Sequence, residues 1–281
     1  MNNNELVSII TPSYNTAPLI EETIKSVQSQ TYTKWEMIIM DDCSKDNTDD
    51  VVLKYLSDLR IKYIKNEKNS GAAVSRNKAL KEAKGRWIAF LDSDDLWEAE
   101  KLEKQINFMK ENDYHFSYTA YEEIDESSNP LNRVIKGPRK ISKLGMHAYC
   151  WIGCLTVMYD REKVGLIQIE DIKKNNDYAM WLKVCKKENC FFLDENLAKY
   201  RKRAGSISRH SVKTMILWHY KLWHEAEKNS IIGALWYTML NLVCGFYKKM
   251  IYVKKCRMKS TKTNDNFQKK TVVCFFGKSE S

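Results

Sequence analysis

Three carboxylates crowd into four residues at Asp92, Asp94 and Asp95, with Ser93 between them. They follow directly on the apolar run WIAFL at 87–91. Like charges this close repel, so the cluster calls for a positive partner. Aspartates offer hard oxygen ligands suited to Mg²⁺ or Mn²⁺, and Mg²⁺ is commonly held by one or two carboxylates plus substrate phosphates. Asp92 and Asp94, as an Asp-x-Asp pair, meet that need. A polar turn also accounts for the same letters, with Asp94 or Asp95 capping a helix expected over 96–110.

Two more polar clusters carry usable chemistry. In Thr11-Pro12-Ser13-Tyr14-Asn15, the backbone around Pro12 can read a base edge and Tyr14 can stack on a planar ring. In Asp41-Asp42, Asp41 can accept from a base N–H. Arg76 lies on a helix expected from Gly71 and can reach a phosphate, buttress an aspartate, or merely pair at the surface. Asp177 follows KKNN and opens a helix that turns Met180, Val184 and Trp181 inward. It is either a helix cap or a general base.

The elements that must position these groups alternate. Strands are expected at 7–11, 35–40, 61–65 and 87–91, with helices at 19–30, from about 48 to 56, and at 71–80. Such βαβ alternation implies a mainly parallel sheet with helices on both faces. Ligands then bind beyond the carboxyl ends of the strands, where all three polar clusters fall. Further along, a helix is expected at 101–112, strands at 116–121, 154–159, 190–194 and 197–201, and a helix at 177–187.

The chain has 281 residues and a net charge of +10, distributed unevenly. Residues 1–200 hold 29 Lys+Arg against 32 Asp+Glu, whereas 201–281 hold 17 against 4, a local net of +13. A basic C-terminal region suggests an anionic partner: lipid, nucleic acid or a phosphorylated substrate. Residues 229–247 contain no charge, and lysines follow them. That segment could pack as a core helix, lie in a membrane interface or span a bilayer. Residues 256–281 are expected to be weakly ordered. Eight cysteines form no CxxC pair; Cys150 and Cys154 lack a second pair to complete a zinc site, so reduced thiols in a cytosolic protein are expected. The N-terminus lacks the basic and apolar regions of a signal peptide.

These residues, in order, resemble the family 2 glycosyltransferases of the GT-A fold. The likeness runs through VSIITPSYN (7–15), IIMDDCS (38–44), NSGAAVSRNKAL (69–80), GRWIAFLDSDD (85–95), NNDYAMWLKV (175–184) and YRKRAGSIS (200–208). IGCLTVMYDRE (152–162) is similar to the subgroup building surface polysaccharides, including teichuronic-acid-type polymers. The resemblance implies a catalytic domain over 1–210, with a nucleotide-sugar half to 112 and an acceptor half after it. Beyond the resemblance, a helical extension is expected over 211–255, where packing as a core helix and association with a membrane both stay open.

It further implies that Thr11, Pro12, Tyr14, Asp41, Arg76, Asp92 and Ser93 surround a nucleotide-sugar, most often a uridine diphosphate sugar. Asp94, with Asp92, would hold Mg²⁺ or Mn²⁺, and Asp177 would be the base of an inverting transfer. Asp95, Trp181 and Arg203 are neighbours of the site. Relatives often carry His where Arg203 stands. The implied acceptor is a glycan or an undecaprenyl-diphosphate-linked glycan, met at the cytoplasmic membrane face; nucleic acid is not expected. A nucleotidyltransferase would want a glycine-rich basic loop after the first strand, but PSYNTAP has neither Gly nor Lys. A purely lipid- or nucleic-acid-binding protein would leave the three polar strand ends unexplained.

Overall fold

The computed structural model describes residues 5–172, 174–203 and 212–255. The expected tail at 256–281 and residues 204–208 of the last motif lie outside the described residues. Strands β1 (Val7–Ser13), β2 (Trp35–Asp41), β3 (Ile61–Lys65) and β4 (Trp87–Phe90) run parallel in the order β4-β1-β2-β3. Helices α1 (Ile20–Gln28), α2 (Thr48–Leu53) and α3 (Ala72–Glu82) link them. Every residue of β1 and β2 is buried, as a sheet covered on both faces requires. Alternation sends Ile9 toward the cluster holding Ile20, Ile24 and Val27 of α1, and Ile10 toward the one holding Ala79 and Leu80 of α3. Ser13 lies opposite Asp41, and Ile10 opposite Phe90, so the three strands end along one edge.

The second half adds β5 (Leu96–Trp97), α4 (Lys101–Glu111), β6 (Phe116–Ile124), β7 (Pro130–Ile135), β8 (Lys140–Ile141), α5 (Lys143–Ala148) and β9 (Met158–Asp160). After these come α6 (Arg161–Val164), α7 (Asn176–Cys185), β10 (Cys190–Arg201), α8 (Val212–Lys221), α9 (Ile231–Ile251) and β11 (Val253–Lys255). Here the sheet turns mostly antiparallel. β9 sits antiparallel between β4 and β6, β7 pairs β6, and β11 pairs β7. Only β10 runs parallel to its main partner, β6. The helical extension is therefore stitched into the sheet through β11.

Several local expectations change. The 96–110 segment is not one helix: Leu96 and Trp97 pair with Lys199 and Ala198, and α4 starts at Lys101. Asp95 is thus no helix cap. Residues 154–156 form a 3₁₀ turn, leaving Met158–Asp160 as the strand. The strands expected at 190–194 and 197–201 are one strand, β10, bulged between Leu193 and Ala198. Trp181 is core, fully buried with its ring 5.1 Å edge-on to Phe90 and 6.0 Å from Phe116.

Candidate active site

The loops beyond β1 and β2 are tied to each other. Asp41, fully buried at the end of β2, accepts hydrogen bonds from the Ser44 backbone N–H at 2.8 Å and from the Ser44 hydroxyl. Ser44 Oγ accepts from the Asn15 N–H at 2.9 Å, and Asn15 Oδ1 accepts from the Lys45 N–H at 2.9 Å. Asn15 adopts a left-handed backbone, φ 50°, which asparagine tolerates. This frame leaves the Tyr14 ring exposed while Thr11 and Pro12 are buried. The Thr11 hydroxyl is buried with no hydrogen-bond partner.

Asp42 positions α3, a role the sequence reading missed. Its carboxylate accepts from Asn66 Nδ2 at 2.9 Å, Ser70 N–H at 2.8 Å and Gly71 N–H at 2.7 Å. Gly71 stands at φ 90°, where a side chain would be strained, and lets the chain turn into α3. The doubled aspartate at a strand end was the available signal.

Arg76, on α3, is the hub. Its Nη2 lies 2.5 Å from Asp92 Oδ1, and its Nη1 donates to Asn176 Oδ1 at 3.2 Å. Burial works against this charge, yet Asp92 and then Cys154 and Asp177 raise the guanidinium pKa above its ordinary value. One cation thereby joins the end of β4 to the first turn of α7. Arg76 is 7% exposed, which decides against a mere surface salt bridge. Asp177 is the second residue of α7, not its cap; Asn175 precedes the helix in a left-handed conformation. Asp177 Oδ1 accepts from the Tyr178 N–H at 2.8 Å. Burial raises its carboxyl pKa above the ordinary value, with Arg76 pulling the other way. A carboxylate with raised proton affinity is suited to accept a proton.

The rest of the acidic cluster is braced by β10. Asp94 Oδ2 forms an ion pair with Arg203 Nε at 2.9 Å. Burial first, then Asp92, raises the Asp94 carboxyl pKa, and Arg203 only partly offsets them. Asp95 Oδ1 accepts from the Arg201 N–H at 2.9 Å, and burial pushes this carboxyl well above its ordinary range. Ser93, between Asp92 and Asp94 in the chain, is buried. Arg201, fully buried, donates from Nε to the Asp94 carbonyl at 2.7 Å, from Nη1 to Ser128 Oγ at 2.8 Å and from Nη2 to Glu22 Oε2 at 2.8 Å. Arg201 lies in the YRKRAGSIS stretch, but nothing in its spacing signals these contacts.

The donor set fits a hard divalent cation. Asp92 and Asp94 are half-buried carboxylates, each paired with one arginine, Arg76 and Arg203. Among the described residues, no group of three or more His, Cys, Asp or Glu converges as a metal cage. A cation here would take one or two carboxylates and complete its shell from substrate oxygens, the Mg²⁺ pattern. Cys150 and Cys154 are free thiols.

Comparison with known proteins follows the same lines. The model for "Glycosyl transferase family 2" matches residues 8–158. A Bacillus subtilis (strain 168) protein assigned as a teichuronic acid biosynthesis glycosyltransferase, TuaG, is 44% identical over 236 residues, covering 82% of this chain and 92% of its own. The Escherichia coli UDP-Glc:alpha-D-GlcNAc-diphosphoundecaprenol beta-1,3-glucosyltransferase WfgD is 44% identical over 215 residues, covering 75% and 82%. In fold, the chain is similar to S. aureus TarS 1-349 in complex with UDP-GlcNAc, with TM-score 0.64 and 23% identity over 86% of this chain and 75% of that one. It is also similar to the Pyrobaculum calidifontis mannosyltransferase PcManGT in complex with GDP-Man and Mn²⁺, with TM-score 0.59, 18% identity, and 83% and 68% coverage.

Proposed function

This chain belongs to the family 2 glycosyltransferases, and from that premise we propose that it transfers a sugar from a uridine diphosphate sugar to a hydroxyl of a lipid-linked glycan, with inversion. Family membership sets aside the nucleotidyltransferase and the purely binding alternatives. The observation that carries the proposal is Arg76, one buried cation tied to Asp92 on the donor side and to the start of α7, where Asp177 stands, on the other. The named activity of WfgD, a UDP-glucose donor with a diphosphoundecaprenol-linked acceptor, supports the choice of both substrates. The polymer named for TuaG supports a place in surface polysaccharide synthesis.

In this account Tyr14 stacks on the uracil, the Thr11-Pro12 backbone and Asp41 line its edge, and Asp92 lies toward the ribose. Asp94, with Asp92, would hold Mg²⁺ or Mn²⁺, which when bound neutralises charge on the departing diphosphate. Asp177 accepts the proton of the acceptor hydroxyl as that oxygen bonds to the anomeric carbon. The bond from that carbon to the diphosphate oxygen breaks, and its electron pair leaves with UDP. Arg76 keeps Asp92 and the first turn of α7 in register for this step. Arg203 balances the charge of Asp94.

The test is UDP release from a panel of UDP-sugars, with detergent-extracted lipid-linked acceptor and Mn²⁺ or Mg²⁺. Turnover with one donor is expected, abolished by EDTA and restored by adding metal. Asp94→Ala should weaken metal-dependent UDP binding in calorimetry. Full turnover in EDTA would remove the metal, and release from no donor in the panel would overturn the donor assignment.

A further inference from the structure

Helix α9 is built inside out. Its protein-facing side carries Ala234, Thr238, Asn241 and Lys248. Asn241 Nδ2 donates to the carbonyls of His147 at 3.0 Å and Ala148 at 2.7 Å, and its Oδ1 accepts from Trp223 Nε1 at 3.2 Å. Lys248 Nζ donates to the Trp151 carbonyl at 2.7 Å. The opposite side carries Ile232, Leu235, Trp236, Met239, Val243 and Phe246, each more than half exposed. At 3.6 residues per turn these six fall within an arc of about 100°. A helix on a water-facing surface places its apolar stripe inward and its polar stripe outward. Here the order is reversed, so water is not the medium this face is suited to meet.

The border of the stripe identifies that medium. Lys249, at the end of α9, and Lys254 and Lys255, just beyond it, are exposed. So is Lys213 on the adjoining α8, which also exposes Met215, Ile216 and Leu217. An apolar stripe with aromatic residues and a lysine fringe matches the interface of an anionic bilayer. A second copy of the chain matches less well, because a two-fold interface would bring lysine fringes of one sign together. No helix among the described residues is long and apolar enough to cross a membrane.

We propose that the outward face of α9, with its lysine border, docks the enzyme on an anionic lipid surface. The docking side is also the acceptor side. Tyr178, the residue after Asp177, donates to the Met146 carbonyl at 2.7 Å, and Asn241 of α9 donates to the adjacent His147 carbonyl at 3.0 Å. A helix lying flat on lipid therefore holds the Asp177 end of the site next to the bilayer.

The experiment is co-sedimentation of the full chain with vesicles of phosphatidylglycerol and phosphatidylcholine, or of phosphatidylcholine alone. The triple variant Ile232→Glu, Val243→Glu and Phe246→Glu changes only exposed side chains, and circular dichroism should show it folded. Wild type should pellet with anionic vesicles, and the triple variant about tenfold less. Lys249→Gln, Lys254→Gln and Lys255→Gln together should lower pelleting several-fold, roughly as added salt does. Equal pelleting of the folded Glu variant and wild type would assign binding to the basic residues 256–281 and overturn the proposal. So would failure of wild type to pellet, or a wild-type dimer that the Glu variant dissociates while pelleting stays unchanged. Pelleting needs no turnover, so its outcome is separate from that of the acceptor assignment.

Discussion

Helices α7 and α9 both pack against α5, yet they bury different kinds of side chain. α7 buries Tyr178, Met180, Trp181, Leu182 and Val184, and keeps Asp177 in its first turn beside Arg76. α9 buries only Ala234, Thr238 and Asn241 and presents its large side chains outward. In α7 hydrophobic burial stabilises the fold and leaves one carboxylate for chemistry. In α9 specific hydrogen bonds attach the helix, and its hydrophobic surface is left for a partner. The contrast shows that apolar content alone does not distinguish a core element from a docking element; the direction of the polar residues does.

The largest expected effect lies on α7. Asp177→Asn should lower kcat by about a thousandfold or more, in line with loss of a general base, while UDP affinity by calorimetry changes little. Phe246→Ser on α9 should leave turnover unchanged when the acceptor is in detergent micelles. Near-normal turnover by Asp177→Asn would break the assignment of α7 as the catalytic helix.

The same contrast predicts stability. Trp181→Ala opens a cavity against Phe90 and Phe116 and should cost about 3–5 kcal/mol in chemical denaturation. Trp236→Ala removes the same side chain from α9, where it is 57% exposed, and should cost within about 0.5 kcal/mol. Equal losses would mean that α9 is covered by the protein itself. Between these, Arg201→Met keeps the backbone N–H bond to Asp95 but leaves Glu22 without its cationic partner and the Asp94 carbonyl without its donor, and should cost about 3 kcal/mol, with weaker metal-dependent UDP binding.

The smallest effect is a pH limb. Burial holds the Asp177 carboxyl above 3.8, so the charged, proton-accepting form is lost as pH falls through that raised pKa. In a pH profile, kcat/KM should fall on the acid side with a midpoint above 3.8, and the limb should disappear from the residual activity of Asp177→Asn.

Much of this was legible in the residues. The βα alternation to residue 91 and the three polar strand ends follow from local periodicity, and local periodicity is what sequence displays. Arg76 and Asp177 could be nominated, but their meeting across Asn176 depends on a contact spanning 100 residues. β5 was hidden for a similar reason, since Leu96-Trp97 becomes a strand only because Ala198 and Lys199 lie beside it. Helical spacing turns Trp181 inward, and the structure buries it against Phe90 and Phe116. The orientation of α9 could not be read at all. Its uncharged run allowed three placements, and the choice rests on carbonyls at 147, 148 and 151, whose partners are about a hundred residues away.

The central claim is a single displacement with one carboxylate base on the acceptor side of Arg76. It is tested most directly by the anomeric configuration of the product, read by proton NMR from a reaction with the turnover-competent UDP-sugar. The account predicts inversion relative to the donor. Retained configuration would contradict it, because retention cannot arise from one displacement in which Asp177 serves only as base.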